Sequence, residues 1–347
     1  FVSAPGQPSD ELYAGWAALG LAAAGHDLNR LGDAQGLMDY VRAGIGSRPP
    51  HDVGALERTI LVVRAAGQSA RSFGGRDLIA ALEGRVGGDG SVSDQVNLTA
   101  FAVLALRADG VQPSAKTLRW LLRQQGSDGG FSFSGGGGSS DVDDTGAALE
   151  ALAGDHAAVA AMSRAVGFLR RQQDRDGGFP SQPGMSSNAQ STAWAVQGLE
   201  AAGVSPATLR RGGAISPLAY LDSLMGADGA VRYSRGVTQT PVWVTGEALM
   251  AMEGKPLPIA APAPPPAPAT PAASSQTTTT RHPAPSPRAR TDAAKHARAH
   301  TARPRRSTQR RLLTPVASIA RNQVLAGDLA HALGVMTALA LAPVGLG

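Results

Sequence analysis

The chain has 347 residues, a net charge of +5, no cysteine, and aromatic residues at only 4%. Lack of cysteine excludes disulfides and thiolate metal ligands while leaving the compartment open. The charge is unevenly placed: ten Lys or Arg face the single acid Asp292 between Arg281 and Arg311, so residues 1–280 carry a balance of −4 and offer no reason to expect nucleic acid in a folded domain.

Taken from the front, the chain alternates two kinds of helix. Ala-rich helices, apolar on most faces, are predicted at Leu12–Ala24, Val53–Ala66, Val96–Ala108, Asp141–Ala153, Asn188–Ala202 and Val242–Glu253. Helices apolar nearly all round belong in an interior. More highly charged helices are predicted between them, at Gly36–Ala43, Arg76–Arg85, Ser114–Gln125, Ala161–Gln173 and Ser216–Met225, as an outer layer requires. Gly25, Gly67, Gly110, Gly154, Gly203 and Gly254 each follow an inner helix where a left-handed C-cap residue is expected. Pro113, Pro206 and Pro217 then mark the next helix starts. No segment reads as a strand.

An internal repeat ties these elements together. Gln125, Asp128 and Phe131 recur 48 residues on as Gln173, Asp176 and Phe179, with weaker copies at Asp89-Gly90 and Asp228-Gly229. YAGWAALGLAAAG at the front matches STAWAVQGLEAAG after Asn188. Phe1 stands in the place of Phe131 and Phe179, so the chain is expected to begin partway through a repeat, with one outer helix, and the place for an export signal, before it. The predicted fold is therefore all-α: an α6/α6 toroid of six helical hairpins whose first outer helix is missing, closed so that each repeat buries the faces of its neighbours.

The toroid is assigned to residues 1–254. Residues 255–311 are expected to form a disordered linker, first Pro/Ala/Thr-rich and then Arg-rich. Residues 312–347 are apolar, but the uninterrupted run after His331 is shorter than the roughly 20 residues a spanning helix needs. A truncated membrane anchor and an amphipathic helix are both open there, and the tail offers a route to membrane or cell-wall association.

Chemistry concentrates at Asp141, Asp143 and Asp144, which crowd the start of one inner helix. One reading is structural: acids in a first turn cap free N–H groups and favour the helix dipole, with Ser140 or Asp141 as N-cap. The other is chemical: repulsion among neighbouring carboxyls raises a pKa and leaves a protonated acid. The aligned positions in other inner helices hold Leu12, Asn97, Gln190 and Trp243, so the repeat itself does not demand Asp143. Trp16, Phe101 and Trp194 share one aligned position, with Trp243 on the corresponding face; they are candidates to line a central apolar pocket or simply to fill the core.

On these residues the chain resembles the prenyltransferase and squalene-cyclase repeat superfamily over about 255 residues. The Gln-x-x-Asp-Gly-Gly-Phe turns at Gln125–Phe131 and Gln173–Phe179 are similar to its QW motif, with Phe in place of Trp. Asp141–Thr145 is similar to the DxDD acid motif of class II terpene cyclases. The resemblance implies Asp143 as the acid, with Asp141 and Asp144 tuning it, and cation–π support from aromatic side chains. Cyclases with this acid motif usually pair the ring with a second helical domain, and none is expected within these residues. Zinc-dependent relatives hold their metal partly by Cys, so no metal and no cofactor is expected. Three functions follow as expectations. The first is an exported or surface-tethered bacterial ring on a Pro/Thr stalk that binds an isoprenoid-like or other apolar small molecule, or a partner. The second is a class II cyclase-like enzyme, of isomerase or lyase type, protonating an isoprenoid alkene through Asp143. The third is a structural spacer.

Overall fold

The computed structural model describes residues 11–32, 36–47, 52–135 and 137–261. Among them, eleven α-helices follow one another: α1 (Glu11–Ala23), α2 (Leu37–Ser47), α3 (Val53–Ala65), α4 (Leu78–Glu83), α5 (Val96–Ala108), α6 (Ala115–Arg123), α7 (Val142–Leu152), α8 (Val159–Gln172), α9 (Ala189–Ala201), α10 (Pro217–Leu224) and α11 (Pro241–Met252). Pairing among the described residues is confined to isolated bridges such as Phe131 with Asp141 and Phe179 with Asn188. The structure is the expected all-α toroid.

The odd-numbered helices form the inner layer. Each packs on the next, and α11 packs on α1, so the ring closes. Closure depends on small residues. A Cβ on Gly20 would lie 2.6 Å from the Gly246 carbonyl oxygen, and a Cβ on Gly146 would lie 2.4 Å from that of Trp194. Glycine at these points lets α1 reach α11, and α7 reach α9, backbone to backbone.

The turns entering the inner helices repeat one bonding scheme. Thr145 Oγ1 accepts from Phe131 N at 2.9 Å and donates to Asp141 O at 2.5 Å; Thr192 does the same for Phe179 N and Asn188 O. Thr99 and Thr245 accept from Val92 N and Val231 N, also at 2.9 Å. One hydroxyl thus staples each turn to the helix it opens, and the aromatic behind it, Phe131 or Phe179, is fully buried. The repeated glutamines fasten the same turns outward. Gln125 Nε2 donates to Gly129 O and Ala161 O, and Gln173 donates to Gly177 O while its Oε1 accepts from Arg211 N. Their role is to satisfy backbone groups across successive repeats.

The six glycines expected at inner-helix ends all lie at positive φ, between +61° and +87°. Some boundaries differ from expectation. The helix expected at Gly36–Ala43 runs on to Ser47, and Pro206 opens a short 3₁₀ turn (Pro206–Thr208) while the outer helix starts at Pro217, as Ser216–Met225 foresaw. The chain also stays with the ring past Gly254. Leu257 and Ile259 are buried, Leu257 N donates to Glu150 Oε2 at 2.5 Å, and Ala261 reaches Gly67. Residues 255–261 therefore cross from the end of α11 past α7 to the end of α3, and their two apolar side chains explain why they pack instead of joining the linker. The remainder of the expected linker and the segment 312–347 lie outside the described residues.

Candidate functional site

Equivalent residues of the inner helices meet, so their first turns share one end of the ring. Asn97, Asp143, Gln190 and Trp243 occupy equivalent first-turn positions there and keep partial exposure. Phe133, Met185 and Val237, in the connections leading into α7, α9 and α11, are 50%, 56% and 44% exposed. The side chains at this end are thus mostly polar in the first turns and apolar at these exposed points of the connections.

The three aspartates differ in what they meet. Asp141 is the N-cap of α7, its Oδ1 accepting from Asp144 N at 2.7 Å. Asp144 turns toward α5, where the Asn97 backbone N–H reaches its carboxyl, and it hydrogen-bonds the Asp141 carboxyl. Burial and the Asp141 charge push Asp144 up to about 9, so it is the neutral partner, while burial also raises Asp141. Asp143 does not cap its own helix. Its carboxyl meets the Ser191 hydroxyl on α9, its Oδ1 is buried with no hydrogen-bond partner, and desolvation raises it to about 7. At neutral pH it is poised between acid and carboxylate.

The four aromatics meet. Trp16 stacks on Trp243 with centroids 5.8 Å apart and planes at 7°, and stands edge-on to Trp194 at 5.9 Å and Phe101 at 6.2 Å; Phe101 and Trp194 are 5.5 Å apart. They form one cluster drawn from α1, α5, α9 and α11, where the ring axis passes. Trp16 and Trp194 are nearly covered, whereas Phe101 and Trp243 keep part of their surface. Arg58 lies over the Trp16 ring, 5.9 Å from its centroid.

Glu247 on α11 completes the site and was not singled out in the sequence. Its Oε1 accepts from Trp243 Nε1 at 2.6 Å and its Oε2 from Gln190 Nε2 at 2.9 Å, with Trp194 as a further donor. Burial raises it to about 8. Its signal was available: counted from the stapling threonines, Glu247 falls two residues after Thr245, as Trp194 does after Thr192 and Phe101 after Thr99.

No family model and no curated protein matches this chain. Solved structures do. A variant of the type II terpene cyclase MstE from Scytonema, in complex with geranylgeranyl dihydroxybenzoate as substrate, superposes with a TM-score of 0.53 at 14% identity, covering 72% of this chain and 88% of that one. The chain has the terpene cyclase-like α-toroid fold. A protein from Actinoplanes gives a TM-score of 0.51 at 16% identity over 72% of this chain and 90% of its own. The ent-copalyl diphosphate synthase from Streptomyces platensis gives 0.47 at 19% identity, and this chain spans only 50% of its length.

Proposed function

We propose that the ring takes an apolar, isoprenoid-like ligand at the mouth formed by the first turns of its inner helices and protonates it through Asp143. The observation that carries this reading is the placement of Asp143: a carboxyl that caps no helix, has an unpartnered buried oxygen, meets Ser191 on the neighbouring inner helix, and lies close enough to Glu247, the acceptor of Trp243 Nε1, to raise it, with its own pKa raised to about 7. The apolar rim of Phe133, Met185 and Val237 suits the approach of a hydrocarbon chain.

The step is an addition. The Asp143 O–H bond breaks and leaves its pair on the carboxylate, the alkene π pair forms the new C–H bond, and the adjacent carbon becomes cationic. A neighbouring alkene closes on that carbon, the final cation loses a proton to water, and the Asp143 carboxylate regains a proton from solvent, so the net change is an isomerisation. The Asp141 carboxyl lies close enough to raise Asp143 further and so favours its protonated form.

A spacer role is favoured by a different observation, the mutual packing of the four aromatics on the axis. Incubation of the purified full chain with geranylgeraniol and geranylgeranyl esters, followed by mass spectrometry and NMR of the products, separates the two. Cyclised isomers in the wild type and none with Asp143→Asn support the enzyme; no product in the wild type together with no binding leaves the spacer. Carriage of the ring outside the cell on its Pro/Thr-rich tail forms part of the same proposal, supported by composition, and fractionation of the producing cells tests it.

A further inference from the structure

Residues 255–261 run across two acids of the inner layer. Glu150, near the end of α7, is buried; its Oε2 accepts from Leu257 N at 2.5 Å, and its Oε1 is covered without a hydrogen-bond partner. Glu200, near the end of α9, stands beside Gly254, where a Cβ would lie 3.4 Å from its Oε1, and its Oε2 is likewise covered and unpartnered. The Glu200 carboxyl lies close enough to act on Glu150. Gly254, at φ +61°, turns the chain out of α11 at this point. One acid therefore sits at the root of the crossing segment and the other at its first buried residue.

Among the described residues neither acid takes part in an ion pair. Arg107 on α5 donates to the carbonyls of Ala151 and Ala153, and its charge lies with Asp155. Arg64 on α3, at the far end of the segment, pairs with Asp109. Glu253 and Lys255 flank Gly254, and Lys255 is exposed. Burial raises Glu150 to about 8 and Glu200 to about 7, and for Glu150 it outweighs the Leu257 N–H, which favours the carboxylate. A hydrated glutamic acid loses its proton near pH 4. The closed segment thus holds protons that an open one has lost, and rising pH favours the open form.

We infer that residues 255–261 are a pH-released strap, closed on the ring while Glu150 and Glu200 are both neutral and lifted when they ionise, hinging at Gly254 and freeing the chain that follows Ala261 from the end of α3. Lifting brings Leu257 and Ile259 into water and wets the two carboxylates. The inference does not depend on what the ring binds. Amide hydrogen exchange of the full chain, corrected for the intrinsic pH dependence of exchange, reads strap opening at Leu257 and global opening at Leu104, which is fully buried in α5. Between pH 6 and pH 9 protection at Leu257 is expected to fall about 30-fold or more beyond any loss at Leu104. The double variant Glu150→Gln with Glu200→Gln keeps an acceptor for the Leu257 N–H and removes both titrations, so its Leu257 protection is expected to change by less than about threefold over the same range. Glu200→Gln alone carries the test where the double variant does not fold, with the fall expected to shrink by about threefold or more. Parallel losses at Leu257 and Leu104, or a fall at Leu257 that survives the substitutions, overturn the strap.

Discussion

Gly246 on α11 sits against the Trp16 carbonyl of α1 so closely that a Cβ on it would lie 2.4 Å from that oxygen. This contact joins the last inner helix to the first. Gly246→Ala must therefore push α11 away from α1, at a cost of about 2–3 kcal/mol for overpacking a tight contact. Gly167→Ala on the outer helix α8 meets only the end of Arg171 at 3.5 Å and is expected to stabilise by up to about 1 kcal/mol. Urea denaturation of both variants checks the pair, and equal midpoints would remove glycine contact as the basis of closure.

Stability is expected to fall as pH rises. Burial pushes Asp143 and Glu200 up to about 7, Glu150 and Glu247 to about 8, and Asp144 to about 9. The unfolded chain releases these protons near pH 4. The folded state therefore holds protons that the unfolded state has lost, and the stability present below pH ~4 from these groups disappears as pH climbs through 7–9. The melting temperature should drop by at least ~5 °C between pH 5.5 and pH 9, about 2 kcal/mol for a ring of this size. A flat or rising profile by calorimetry would contradict the buried, protonated acids.

The threonine staples make a local prediction. Thr145→Val keeps the shape and removes the acceptor for the buried Phe131 N–H. A loss of about 1–2 kcal/mol is expected, with Thr145→Ser retaining most of the wild-type stability. Thr192→Val should behave alike at Phe179 N. Amide hydrogen exchange at Phe131 and Phe179 reads the change directly; unchanged protection would deny the staple.

The segment after α11 should matter to the ring. A chain ending at Gly254 loses the burial of Leu257 and Ile259 and leaves Glu150 without the Leu257 N–H. Each apolar side chain contributes about 1.5–3 kcal/mol, so the shorter chain is expected to be less stable than one ending at Ala261 by about 3–5 kcal/mol. Denaturation of the two side by side decides it.

What the sequence by itself determined is the ring. Ala-rich helices apolar on most faces, glycines placed for left-handed caps, and a 48-residue echo of Gln125, Asp128 and Phe131 are local and periodic signals, and each survives unchanged into the toroid. Asp141 as N-cap was legible for the same reason, since capping involves only the next three residues. The tertiary structure alone decided what meets what. Asp143 faces Ser191 on another helix, the four aromatics taken from four helices converge into one cluster, and Glu247 gathers donors from α9 and α11. Those relationships depend on how far each helix is rotated about its own axis in the closed ring. Backbone contacts such as Gly146 against Trp194 fix that rotation, and such contacts join residues too far apart in the chain for any local pattern to register them.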